Sequence, residues 1–123
     1  MLLDSNLIIY AAQPQNEVLR DFIAEHAPSV SLVSYVEVFG YHKLSDCDRQ
    51  FFEEFFDVTD ILPVTHDVAT QAIELRQQRK LSLGDSLVAG TALRYDLTLL
   101  THNTDDFRWI PDLKLFDPLL ERL

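Results

Sequence analysis

The feature that most constrains this chain is a repeated alternation, in which short apolar segments run into polar residues and are followed by stretches with helical periodicity. Met1, Leu2 and Leu3 lead into Asp4-Ser5-Asn6, and residues 30–33, 60–64 and 97–100 give three more brief apolar runs, with residues 114–116 as a possible short fifth. Such runs read as strands. Between them, residues 17–26 place Leu19, Phe22 and Ile23 on one helical face, and residues 65–79 do the same with Val68, Ala69, Ala72, Ile73 and Leu75. A parallel pair of strands needs a crossover connection, and crossover helices cover the sheet they connect. The expectation is an α/β fold with three α/β/α layers around a central, mostly parallel sheet of four to five strands. Pro63 demotes the third strand toward an edge. With 123 residues, 47% of them hydrophobic, one domain spanning residues 1–123 can bury a core without metal or disulfide staples.

In open parallel sheets, sites form beyond the carboxyl ends of the strands. Asp4 follows the first strand, and Glu37 opens the helix after the second, where Ser34 and Glu37 have capping-box spacing. Asp105 and Asp106 follow the fourth strand, within the polar run Thr101-His102-Asn103-Thr104-Asp105-Asp106-Phe107. Asp85 starts a helix whose Leu83, Leu87, Val88, Thr91, Ala92 and Leu93 recur at intervals of three and four. A helix N-terminus favours an anion, so Asp85 can stay ionised there; Ser82 three residues earlier equally makes it a plain cap. Taken alone, that stretch favours the cap. Four separate segments, however, bring acids to what would be one edge of one sheet. Carboxylates held together share protons or bind a hard cation through oxygen, for which magnesium or manganese fits best.

The rest of the composition narrows the chemistry. A net charge of -10, with 20 acids against 10 basic residues, argues against sequence-independent binding to a phosphate backbone, although bound divalent cations would invert the field of an acidic pocket. His26, His42, His66 and His102 show no paired metal-ligand spacing and read as surface or capping residues. No nucleophile elbow or glycine-rich phosphate loop is present, which leaves metal-assisted phosphodiester hydrolysis. Arg76, Arg79 and Lys80 suit the C-terminus of their helix electrostatically, the simpler account, and also lie close enough before Asp85 to touch a phosphate. Phe51, Phe52, Phe55 and Phe56 read as core or a dimer face. The single cysteine, Cys47, and the lack of a basic N-terminal region leading into an apolar segment make the cytoplasm the expected compartment. No apolar run approaches the roughly 20 residues that cross a bilayer, so a soluble protein is expected.

Together, Leu3-Asp4-Ser5-Asn6, Ser34-Tyr35-Val36-Glu37, Leu83-Gly84-Asp85-Ser86-Leu87-Val88-Ala89 and the run from Leu100 to Phe107 resemble the four acidic motifs of the PIN domain, and the length is similar to VapC-type toxin ribonucleases. The resemblance implies a PIN-like fold and a Mg- or Mn-dependent endoribonuclease that acts on RNA, commonly as a homodimer, and is inhibited by a small basic antitoxin. It implies that Asp4, Glu37, Asp85 and Asp106 are the catalytic, metal-holding acids, with Asp105 as a neighbouring alternative to Asp106. Asn6, Ser34, Thr101 and Asn103 take supporting places. Ser5 stands where threonine is commoner and keeps the hydroxyl. Other readings are an inert PIN-like interaction module, whose mark would be a missing acid, and a stand-alone nuclease without antitoxin. A phosphate-accepting receiver of similar topology wants an acid after the third strand, where Leu62-Pro63-Val64 offers none.

Overall fold

The computed structural model describes residues 1–121. The expected domain reaches residue 123, so its last two residues, Arg122 and Leu123, lie outside the described residues. Among the described residues, five two-residue strands, β1 (Leu2–Leu3), β2 (Val30–Ser31), β3 (Ile61–Leu62), β4 (Leu99–Leu100) and β5 (Leu115–Phe116), alternate with seven helices. Every pairing is parallel: β1 with β4, β4 with β5, and β2 with β3. A parallel bridge between Leu2 and Ser29 joins the two groups, with Leu3 N–H donating to Ser29 O and Ser29 N–H to Met1 O, both at 2.9 Å. The spatial order is therefore β3-β2-β1-β4-β5, with β3 at an edge as Pro63 requires.

Each strand gives one residue to each face of the sheet, so both positions must be apolar or paired. Leu3, Val30, Ile61, Leu100 and Phe116 pack against α1 (Ser5–Ala11), α2 (Glu17–His26), α3 (Leu32–Phe39) and α4 (Asp46–Asp57). Leu2, Leu62, Leu99 and Leu115 pack on the other side against α5 (His66–Gln78), α6 (Leu83–Arg94) and α7 (Thr104–Phe107). Two hydrophobic cores thus flank one sheet, giving the three-layer α/β/α arrangement. In α4, Phe52 and Phe56 are buried while Phe51 and Phe55 are partly so. Gly90 lets α5 and α6 approach closely, since a Cβ there would stand 3.0 Å from the carbonyl oxygen of Val68. No helix of the described residues is long and apolar enough to cross a membrane.

Two local expectations are corrected. The second strand ends at Ser31, whose extended backbone and Oγ cap α3 by accepting from Val33 N–H at 3.1 Å. Leu32 and Val33 therefore belong to the helix, and Ser34 lies inside it, buried, and is not its cap. The fourth strand starts later than its apolar run does. Asp96 takes a left-handed φ of 53°, and Leu97 N–H returns to Ala92 O, which leaves only Leu99 and Leu100 to pair.

Candidate functional site

The carboxyl ends of β1, β2 and β4 lie near the N-terminus of α6, with Asp4 directly after β1, Asp85 in the first turn of α6, Asp106 in α7 after β4, and Glu37 in the second turn of α3, later than the helix start expected of it. Asp4 leaves β1 in an extended conformation and caps α1, its Oδ1 accepting from Ser5 N–H at 2.8 Å. Its Oδ2 accepts from the Thr101 hydroxyl, also at 2.8 Å, just past β4. The side chain is held from both sides and is only 4% exposed. Each of its oxygens keeps a lone pair beyond these bonds, which suits a ligand to a hard cation.

Glu37 reaches the same place from α3. The Ser5 hydroxyl donates to Glu37 Oε1 at 2.8 Å, and the Ser5 oxygen stands 2.9 Å from Ser34 Oγ. On the opposite side is Gly84 in the first turn of α6, where a Cβ would come within 2.8 Å of Glu37 Oε2. Asp85 follows and is half-buried. The Ser82 hydroxyl accepts from Asp85 N–H at 3.1 Å, so the capping bond foreseen at this helix start forms beside the acid cluster.

Asp4 and Asp85 feel the neighbouring carboxylates. The Asp4 carboxyl is raised from the ordinary 3.8 to about 6, chiefly because it is buried and further because Asp85 and Glu37 stand close, with the Thr101 and Ser5 hydrogen bonds opposing the rise. Asp85 is raised too, first by burial, against the Ser82 hydroxyl, and then by the charges of Asp106 and Glu37. Among the described residues, no three His, Cys, Asp or Glu side chains are gathered tightly enough to hold an ion as they stand. Asp85 and Asp106 line an open cleft, and the acids as they stand do not form a closed ligand set. Their donor chemistry nevertheless fits magnesium or manganese, because all are hard oxygen ligands and a cation would relieve the repulsion that raises Asp4 and Asp85.

The other sequence candidates fall into place around this group. Asp105 and Asp106 are both exposed and line the same cleft as Asp85; Asp105 pairs with Arg108 at 3.2 Å, and Asp106 is the one whose charge raises Asp85. Asn103 precedes α7 and donates its backbone N–H to Thr101 Oγ1 at 3.0 Å, without a side-chain capping bond. Asn6 is exposed, and its side chain makes no hydrogen bond among the described residues, neither orienting Asp4 nor capping α1, a place that Asp4 itself takes. His102 pairs through Nδ1 with the buried Asp117 at 2.8 Å, a structural tie that its expected surface or capping place did not include.

Two residues named only as parts of motifs take places that the sequence reading did not assign. Ser5 is the hinge of the hydroxyl chain between Glu37 and Ser34, and Gly84 makes room for the Glu37 carboxylate. A glycine inside a first helical turn costs about 1 kcal/mol against alanine, and that cost is the signal that could have marked a close approach.

With this geometry established, the chain can be set beside known proteins. The PIN domain family matches residues 1–113. A toxin–antitoxin complex from Klebsiella pneumoniae contains a chain 26% identical to this one, with a TM-score of 0.77, covering 95% of this chain and 96% of that one. VapBC2 from Rickettsia felis, bound to a DNA fragment from its promoter, is similar at 21% identity and a TM-score of 0.82, covering 94% and 96% of the two chains. FitAcB from Neisseria gonorrhoeae is similar at 23% identity and a TM-score of 0.79, covering 98% and 99%. A comparison with curated proteins returned no match. A family match over nearly the whole length of the chain leads to one conclusion: the chain belongs to the PIN domain family.

Proposed function

We propose that this protein is a Mg- or Mn-dependent endoribonuclease of the cytoplasm, a single nuclease domain that acts as the VapC-like toxin of a toxin–antitoxin pair. PIN domains are generally nucleases that use divalent metal ions. The observation that carries the reading for this chain is Asp4: a carboxylate 4% exposed, with no basic partner among the described residues, facing the charges of Asp85 and Glu37. Burying such a group is costly unless a cation offsets it.

Asp4, Glu37, Asp85 and Asp106 would hold the ion. When bound, it supplies the charge that ionises a water and offsets charge on the phosphate and the leaving oxygen during in-line attack. Thr101 and Ser5 N–H keep Asp4 turned inward, and the Ser5 hydroxyl keeps Glu37 turned toward it. No side-chain nucleophile is required.

The partner reading draws on the relatives, which come from complexes described as toxin–antitoxin, VapBC and FitAB. It is supported here by an apolar groove of about 470 Å³ between α1, α2 and α4, lined by Ile8, Ile23, Ala24, Phe51 and Phe55, which suits the apolar side chains of a partner segment. A net charge of -10 suits a small basic antitoxin. Leu32 and Val36 leave apolar surface exposed one turn apart on α3, with Leu83 exposed at the start of α6, which supports a homodimer. The inert-module reading is disfavoured because none of the four acids is missing.

Purified protein free of any partner is expected to cleave RNA with Mg or Mn, to stop in chelator, and to lose about 10²-fold or more on Asp85→Asn. Cleavage that continues unchanged in chelator would refute the mechanism.

A further inference from the structure

The cleft beside the acids has a second wall, and that wall is basic. It encloses about 390 Å³ and is lined by Arg79, Lys80 and Trp109 as well as by Ser82, Asp85 and Asp106. Elsewhere among the described residues, Arg94, Arg108 and Lys114 pair with acids, while Arg20 and Arg76 donate to backbone carbonyls. Among the described residues the side chains of Lys43, Arg49, Arg79 and Lys80 do neither, and of these four only Arg79 and Lys80 line this cleft. They stay open although carboxylates line the same cleft, while the neighbouring Arg108 closes on Asp105 at 3.2 Å.

Arg79 is also held in a defined place. Its guanidinium lies over the indole of Trp109, 5.1 Å from the ring centroid, and Trp109 Nε1–H donates to the backbone oxygen of Asp106 at 2.9 Å. The arginine is thus tied through one ring to the turn that bears an acid of the site. The helix-end account of these cations does not cover Arg79. Its backbone has already left α5 with φ -159° and ψ 154°, and its side chain lies on Trp109 instead of folding back to the last carbonyls.

Resting on the nuclease reading above, we propose that Arg79 and Lys80 form a phosphate-binding subsite for the RNA strand, taking the phosphate next to the scissile one, with Trp109 as the residue that positions Arg79. An acidic protein needs such a place. The carboxylates repel the strand wherever a cation does not cover them, and two unpaired cations at the cleft rim supply attraction one step along the backbone. Arginine on an aromatic face is already ordered for this task, whereas lysine contributes a point charge.

The experiment uses the full chain, a short fluorescent single-stranded RNA, Mn and a series of KCl concentrations. In the double variant Arg79→Ala/Lys80→Ala, KM should rise about tenfold while kcat changes little, and the dependence of log KM on log salt should flatten by about 0.7 for each phosphate that no longer meets a cation. Trp109→Phe, which keeps a ring and removes the Nε1 bond, should fall between parent and double variant. The stabilisation by Mn in thermal melts should match the parent, which shows that the variants are folded and the acids intact.

An active parent with a double variant of unchanged KM and salt dependence overturns this subsite and leaves the nuclease reading standing. A double variant that cleaves like the parent but escapes inhibition by a co-expressed partner assigns these cations to a protein surface and likewise overturns it. A parent that neither binds nor cleaves RNA in Mn removes the nuclease reading, and the subsite falls with it.

Discussion

Replacing Asp4 with asparagine keeps the shape of the side chain and removes the charge that the site is least able to solvate. A carboxyl raised from 3.8 to about 6 binds its proton more tightly in the native state than in the unfolded chain. Its effect on stability is therefore absent at low pH and unfavourable at high pH: as pH rises from about 4 to above 6, the native state loses about 3 kcal/mol relative to a protein without that group. Asparagine avoids that loss but donates toward Thr101 where the carboxylate accepted, a mismatch of about 1 kcal/mol. The net expectation for metal-free Asp4→Asn is a gain of about 2 kcal/mol at pH 8, or roughly 8 °C in Tm for a chain of this size. At pH 4 the gain should vanish or reverse. Adding Mn at a hundredfold excess over its dissociation constant should stabilise the parent by about 2.7 kcal/mol and the variant far less. Thermal melts of both proteins from pH 4 to 8, in chelator and in Mn, supply every comparison. An Asp4→Asn protein that is less stable than the parent at pH 8 in chelator, by an amount that does not vary with pH and with no metal response in either protein, would refute the reasoning and leave Asp4 as a helix cap.

Four further substitutions test other parts of the site and fold. Gly84→Ala should hold or raise the Tm, since alanine gains up to about 1 kcal/mol in a helix, yet lower RNA cleavage about tenfold by pushing the Glu37 carboxylate aside; full activity would show that Glu37 need not stand there. Asp106→Asn should lower cleavage about 10²-fold while Asp105→Asn changes it little, and the reverse ranking in a single-turnover assay would exchange their roles. Ala27→Gly should raise stability by about 0.5–1 kcal/mol in urea melts, because Ala27 ends α2 at a left-handed φ of 45° and is exposed, so its methyl group contributes no packing. No gain there would mean that the unfolded chain's added freedom cancels the relief of strain.

How much of this was legible beforehand depends on how far along the chain the deciding contact lies. The helix over residues 17–26 has the bounds its apolar spacing implies, and Asp4 and Asp85 sit at the strand end and helix start expected of them, because caps and apolar stripes are interactions between near neighbours. The parallel pairing was expected from the alternation of runs, since parallel strands need crossovers, whereas the order of the strands is seen only in the structure. The boundary between β2 and α3 was misplaced for the same local reason: Ser31 and Ser34 are both sound caps, and only the pairing of Val30 and Ser31 with Ile61 and Leu62 selects the earlier one.

The contacts that shape the site join distant segments. Ser5 meets Glu37 across 32 positions, Asp4 meets Thr101 across 97, and Gly84 opens toward an acid on another helix. Arg79 finds Trp109 only because α5 and α7 cover the same face of the sheet. Residue types and their order along the chain determined that four acids would reach one sheet end. Which hydroxyl restrains each acid, which glycine makes room, and which cations stay unpaired beside them were decided by the packing of two cores on opposite faces of a narrow sheet, because such contacts exist only after the chain has closed over its full length.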